Sequence, residues 1–336
     1  MKVVAITGER ECEIVERAMP TPRDNYALVK VLVAPMCTEL GEYKRGTPSD
    51  CLGHEAAGEV VAVGERARVK VGDRVVVMPQ NGCGRCEWCL SGEHIHCPTP
   101  RDPHAVCGCT SGRATYAQYV LQQDWLVYPV PDGVSLEHAS MACCGLGPTF
   151  GGMQVMKVNA LDTVLISGLG AVGLGAVINA KVRGACVIGI ESHPWRANLA
   201  KELGAEWVFD PSDPDLLSKI RDVTGGHGAD KSIEASSAEI APSVLAQATR
   251  LMGQLTSVGW GGPIRMSEVV YRGLTIRGQW HWNHLRDGES MARTIRSAQP
   301  LLDKFITHQF PMSDVKAAWE FQATGQCGKM LLKPWE

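Results

Sequence analysis

The chain has 336 residues, 45% hydrophobic and 21% charged, with a formal net charge of -3. That length exceeds what one hydrophobic core usually holds, so two domains are expected. A near-neutral balance without runs of like charge argues against nucleic acid or an anionic membrane surface as a partner.

Met1-Lys2-Val3-Val4 soon reaches Gly8-Glu9-Arg10-Glu11, which is too polar for a secretory signal. Residues 27–34 and 59–63 are valine-rich and alternating, and 74–78 follow a Gly-Asp turn. With glycine and proline at short intervals, this part predicts a compact, barrel-like all-β unit. From residue 163 the rhythm changes. Apolar strands at 164–167, 187–191, 207–209, 232–235, 255–258 and 274–278 alternate with helical stretches at 171–182, 194–203, 216–223 and 240–252. Pro194 suits a first helical turn, and Gly204 and Gly253 suit helix ends. Repeated strand–helix units predict a doubly wound parallel sheet. The least polar stretch, 164–180, carries four glycines and falls short of the roughly 20 residues a membrane-spanning helix needs. After Trp280 come helices at 290–305 and 314–323 and a strand near 329–332.

Thirteen cysteines are an excess, and their number is odd. With no secretory signal, they point to metal held in a reducing, cytoplasmic compartment rather than to a disulfide framework. Cys83, Cys86, Cys89 and Cys97 are spaced C-x2-C-x2-C-x7-C. Four thiolates on one short loop can surround a single tetrahedral ion: zinc, or iron where redox chemistry is wanted. Such a site is coordinatively closed, hence structural. His94 and His96 beside it could replace a thiolate or be plain loop histidines. Cys12, Cys51, Cys107, Cys109, Cys186 and Cys327 read as ordinary thiols.

Residues 164–167 lead into Gly168-Leu-Gly170-Ala171-Val172-Gly173. A Gly-x-Gly-x-x-Gly between strand and helix is a dinucleotide loop. The first glycine allows the turn, the second lets backbone approach a pyrophosphate, and the third lets helix and strand pack closely. Glu191 ends the next strand, where a carboxylate accepts both ribose hydroxyls of NAD and repels the 2′-phosphate of NADP. Arg196 could touch the same ribose.

Gly53-His54-Glu55-x2-Gly58-x5-Gly64 follows Cys37 and precedes both loops. In this order the motifs resemble those of the zinc-dependent medium-chain dehydrogenase/reductase family, which includes alcohol dehydrogenases. Val71-Gly72-Asp73-Arg74-Val75, Thr224-Gly225-Gly226-His227-Gly228-Ala229-Asp230 and Ile306-Thr307-His308 with Phe310-Pro311 echo it. The resemblance implies an α/β chain: a GroES-like β-rich catalytic domain from residues 1–145 and 280–336, around a Rossmann NAD-binding domain at 146–279. It implies two zinc ions, the catalytic one held by Cys37, His54 and Cys144, with Glu55 behind the metal. Cys143 competes with Cys144, which fits the family register better. The implied reaction passes hydride between a small secondary alcohol or polyol and NAD. Pairing into a homodimer or homotetramer through the nucleotide domain's edge strand is implied too.

The first ligand motif departs from the family. Cys37-Thr38-Glu39-Leu40 places Glu39 where the family has the hydroxyl that takes the alcohol proton, and Leu40 where it has Asp. Glu42 stands where a relay histidine is often found. Glu39 is expected to act as general base; it could instead ligate zinc or turn away. Glu39 and Glu42 near a metal could also attract the ammonium group of a threonine-like amino alcohol. A nucleotide-binding protein with a degraded metal site is a further alternative. Trp280-His281-Trp282-Asn283-His284 could line the pocket or form an aromatic seam.

Overall fold

The computed structural model describes residues 1–108 and 112–336; Cys109 lies outside the described residues. They divide into two compact units. The first is Met1–Cys144, Asn283–Arg296 and Ile306–Glu336; the second is Gly145–Trp282 and Ser297–Phe305. The stretch Ser297–Phe305 thus groups with the second unit, although 280–336 reads in sequence as one piece of the first.

In the first unit the valine-rich alternation builds Tyr26–Pro35 and Ala56–Val63, paired antiparallel. They sit inside a seven-stranded sheet ordered Ile306–Pro311, Lys329–Lys333, Tyr26–Pro35, Ala56–Val63, Arg74–Val77, Val127–Pro129, with Tyr119–Gln123 also on Tyr26–Pro35. Gly58 makes the central pairing possible, because a Cβ there would stand 1.9 Å from the Lys30 carbonyl oxygen. Val29, Val31, Val60 and Val75 pack with Tyr116 and Trp319 in the core beneath. Lys2–Gly8 and Glu11–Glu16 form a hairpin that the sequence pattern does not announce. Its second strand exposes Glu11, Glu13 and Glu16, so composition hides it.

The second unit is a six-stranded parallel sheet ordered Trp207–Phe209, Cys186–Ile190, Thr163–Ser167, Ala229–Glu234, Thr249–Ser257, Thr275–Gly278. In strand numbers of this unit the order is 3-2-1-4-5-6, the doubly wound dinucleotide-binding topology. Helices Ala171–Val182 and Leu216–Val223 have the bounds their sequence pattern gives. The stretch 240–252 does not. Its helix is Ala241–Ala248, and Thr249 already begins a strand. The Thr249 hydroxyl bonds the Leu245 carbonyl and the Ser232 hydroxyl, both at 2.6 Å. The register then slips between the pairs Ala229–Thr249 and Lys231–Gln254. Gly253 therefore sits in a bulge beside Met252, whose φ is 59°, and not at a helix end. Helix His284–Phe305 starts earlier than expected and keeps Pro300 inside it. No helix among the described residues is long and apolar enough to cross a membrane.

Candidate metal centres and nucleotide site

The sulfurs of Cys83, Cys86, Cys89 and Cys97 all lie within 4.8 Å of one another. Two of the separations are 4.0 Å (Cys83–Cys89) and 3.8 Å (Cys86–Cys97). A tetrahedron with Zn–S near 2.3 Å has edges of about 3.8 Å, so the cage has the size for one zinc ion. Backbone N–H groups of Cys83 and Cys86 donate to the sulfurs of Cys97 and Cys83, both at 3.3 Å. The backbone N–H of Arg85 leads the groups that pull the Cys83 thiol down to about 6. His94 is not part of the cage. Its ring is buried and stacks on His284 with centroids 5.0 Å apart, while His96 is exposed.

A second cluster forms from three distant segments of the same unit. Cys37 follows the strand Tyr26–Pro35, His54 precedes Ala56–Val63, and Cys144 follows the short helix Leu136–Ser140. With Glu55, they bring four donor atoms within 4.8 Å of one another. His54 Nε2 lies 3.2 Å from Cys144 Sγ, and its side chain remains 36% exposed. Cys143, directly before, is fully buried and turns its thiol to the Val77 carbonyl at 3.3 Å. The cluster's field favours a cation at its centre. Burial opposes a charged His54, yet the Cys37 sulfur and the Glu39 carboxylate together push its ring up to about 11. The Cys144 thiol donates to Cys37 and, foremost among the causes, holds Cys37 well below the ordinary thiol range. Two thiolates and one imidazole suit zinc and leave a position open.

Behind the cluster every oxygen has a task. Glu55 is fully buried, and burial pushes its carboxyl up to about 7. One oxygen accepts from Lys329 Nζ at 2.7 Å and the other from the backbone N–H of Cys144 at 2.9 Å. Glu39 lies 2.6 Å from His54 Nδ1 through one oxygen and accepts the Tyr116 hydroxyl at 3.0 Å through the other. The Tyr116 oxygen accepts in turn from the Cys37 N–H at 3.3 Å, and Gln322 donates to the Cys37 carbonyl at 3.0 Å. An imidazole whose Nδ1 proton is held by a carboxylate presents the Nε2 lone pair forward.

The second unit carries a cavity of about 390 Å³ lined by Ser167, Gly168, Gly170, Glu191, Arg196 and Ser236, among others. It lies off the carboxyl ends of the first, second and fourth strands, at the switch point where such sheets bind nucleotides. The three glycines differ in what they permit. Gly168 has φ +82° and no room for a Cβ, which would meet Ser236 at 2.4 Å. A Cβ on Gly170 would stand in the cavity, 3.7 Å from Arg196. One on Gly173 would strike the Gly168 carbonyl at 1.8 Å, so helix and loop could not close. Ala171 and Val172 form the first turn of the helix that faces this cavity, where N–H groups are free for phosphate. Glu191 is held by N–H groups of Leu169 and His193, both at 2.8 Å. The Arg196 guanidinium lies 3.6 Å from it, and Arg196 Nε is buried without a hydrogen-bond partner among the described residues. A polar atom left unsatisfied in a cavity at the switch point of such a sheet fits a ligand group.

Residues 23–132 match the alcohol dehydrogenase GroES-like domain, and residues 171–296 match the zinc-binding dehydrogenase domain. L-threonine 3-dehydrogenase of Symbiobacterium thermophilum is 31% identical over 346 residues, covering 95% of this chain and 93% of that protein. The chain belongs to the zinc-dependent medium-chain dehydrogenase/reductase family. It is an oxidoreductase of the zinc-type alcohol dehydrogenase kind. D-arabitol-phosphate dehydrogenase of Enterococcus avium is 29% identical, covering 97% of this chain and 95% of that protein. A solved NAD-dependent alcohol dehydrogenase superposes with a TM-score of 0.84 at 25% identity, covering 99% of each chain. Zinc and NAD are the cofactors of this enzyme type.

Against the family pattern, Glu39 takes up the His54 contact in a chain whose next residue is Leu40, and Tyr116 supplies a hydroxyl to fix it. Tyr116, Gln322 and Lys329 carry no sequence signal. A lysine in a C-terminal strand reads as surface, yet Lys329 is fully buried. In the aromatic run, Trp282 packs edge-on against Phe150 at 5.6 Å, while Asn283 donates to the Ser91 carbonyl at 2.7 Å and His284 meets the Trp125 carbonyl at 2.7 Å. Trp280 is exposed and meets Trp260 edge-on at 6.3 Å.

Proposed function

We propose that this enzyme moves hydride between a small secondary alcohol or polyol and NAD, with Cys37, His54 and Cys144 holding a catalytic zinc and the four-cysteine loop a structural one. The observation that carries the reading is the convergence of those three donors, one ring still open, on a frame of two bonded pairs, Glu55 with Lys329 and Glu39 with Tyr116. When bound, zinc supplies a Lewis acid for the alcohol oxygen, and NAD accepts the hydride. The chain's own residues supply position. Glu39 keeps the His54 proton on Nδ1, Tyr116 keeps Glu39 in place, and the Glu55–Lys329 pair sets the Cys144 backbone. Glu191 would take the ribose hydroxyls, which favours NAD over NADP. Six ligand thiols that must stay reduced fit the cytoplasm.

A threonine-like amino alcohol is the second reading, favoured by the Symbiobacterium relative. The occupied oxygens of Glu39 leave only Glu42 to meet an ammonium group. For assembly we propose pairing through Thr275–Gly278. All four of its residues are exposed, and Val270, Tyr271, Leu251 and Met252 nearby are exposed apolar side chains; unpaired edges of this kind favour a second copy. Sedimentation of Tyr271→Glu against the parent tests that. For the reaction, the zinc-loaded protein is assayed for NAD reduction with 2,3-butanediol, sorbitol, arabitol and threonine. Absence of turnover on every alcohol, with both zinc ions measured as present, sinks the dehydrogenase reading.

A further inference from the structure

A cavity of about 200 Å³ opens beside His54 within the first unit, and its walls include Arg113, Thr115, Asn81, Gln80 and Cys51. One short segment supplies both this cavity and the frame behind the metal cluster. The N–H groups of Thr115 and Tyr116 both donate to the Leu52 carbonyl at 3.0 Å, which pins the segment alongside Gly53 and His54. Tyr116 turns to Glu39 and Cys37. Arg113 and Thr115, two residues apart, both line the cavity.

One feature of that lining calls for a ligand, and a second, on the exposed Arg113, selects its charge. Thr115 is 1% exposed, and its hydroxyl has no hydrogen-bond partner among the described residues. A buried hydroxyl left unmet costs stability unless something fills the space beside it. Arg113 enters no hydrogen bond or ion pair among the described residues, while its charge is felt at Cys51. Asp50 and Glu42 also act on Cys51, but neither lines the cavity, and Asp50 is paired with Arg17 at 2.7 Å. A neutral polyol would satisfy Thr115 and leave the guanidinium unused. A planar fork of donors matches a carboxylate or phosphate.

We propose that this cavity anchors an anionic group, a carboxylate or a phosphate, carried by the alcohol substrate, with Arg113 as counter-charge and the Thr115 hydroxyl as a second donor. The inference rests on the reading of His54 as a ligand of the catalytic metal: the anion would be seated beside the metal, with the reacting hydroxyl toward it.

The test uses zinc-loaded protein and substrate pairs that differ in charge: D-arabitol against D-arabitol 5-phosphate, and 1,3-butanediol against 3-hydroxybutyrate. The first pair reports phosphate, the second carboxylate. At least one anionic member is expected to have a kcat/KM about tenfold or more above its neutral partner, the scale of one charge-assisted contact. Arg113→Gln should raise KM for that anion far more than for the neutral partner, and Arg113→Lys should recover part of the loss. A readout without turnover is alkylation of Cys51 by iodoacetamide, followed by peptide mass. Inorganic phosphate or acetate should slow it in the parent and not in Arg113→Gln. Equal turnover within both pairs, with Cys51 alkylation unaffected by either anion, overturns the anion site while leaving the dehydrogenase reading standing. Protection of Cys51 with no alcohol oxidised does the reverse.

Discussion

Glu39 Oε1 lies 2.6 Å from His54 Nδ1, and the same carboxylate holds the Tyr116 hydroxyl through its other oxygen. Both partners are donors, so Glu39 is needed as a double acceptor. Glutamine at this position has one oxygen and one NH2 group and must leave a donor unmet. Glu39→Gln is therefore expected to weaken zinc binding roughly ten- to hundredfold, the usual scale for an outer-shell partner of a metal ligand. Chelator competition measures this. The acidic limb of the pH–rate profile should survive. If zinc affinity is unchanged and the limb disappears, Glu39 is the general base that Cys37-Thr38-Glu39-Leu40 suggests.

Lys329 and Glu55 pair at 2.7 Å with no exposure of either side chain. Removing one member of a buried pair strands the other's charge, at a cost of about 3–5 kcal/mol. Lys329→Met should lose that much in denaturant unfolding, and Lys329→Met with Glu55→Gln should lose markedly less. Equal losses in the single and double variants would show that the pair itself does not matter.

The two cysteine clusters should respond differently. Cys89→Ser is expected to release one zinc and lower the melting midpoint, because a closed site contributes directly to folding. Cys144→Ser should melt close to the parent while turnover falls roughly hundredfold or more, since its loss touches an open site. Zinc content and melting curves on both variants check the pair of outcomes. The same pattern in both would mean the clusters do not divide the two roles.

Glu191 accepts from Leu169 and His193 at 2.8 Å each, so its charge cannot swing away from an incoming 2′-phosphate. That repulsion is on the order of 2 kcal/mol, about thirtyfold in affinity, when partly desolvated. The parent should prefer NAD by at least this factor in kcat/KM. Glu191→Ser, with Arg196 retained nearby, should narrow the gap mainly by improving NADP. Equal use of both cofactors by the parent would remove Glu191 from cofactor choice.

What the sequence by itself determined is what neighbours along the chain control. The strand–helix alternation after residue 163, the Gly168-Leu-Gly170-Ala171-Val172-Gly173 turn and the four cysteines from Cys83 to Cys97 each lie within one short stretch. There, side-chain period, turn chemistry and chain reach fix the geometry. The stretch 240–252 shows the limit. Its composition favours helix, but the Ser232 hydroxyl and the register of Ala229–Glu234 convert Thr249 onward to strand. The surroundings of the second metal cluster lie further still beyond local reach. Lys329 meets Glu55 across 274 positions, Gln322 meets Cys37 across 285, and Tyr116 meets Glu39 across 77. No local periodicity encodes such contacts. The pairing of Lys329–Lys333 with Ile306–Pro311 on one side and Tyr26–Pro35 on the other carries Lys329 into the core, where burial makes an unpaired ammonium so costly that Glu55 becomes its partner.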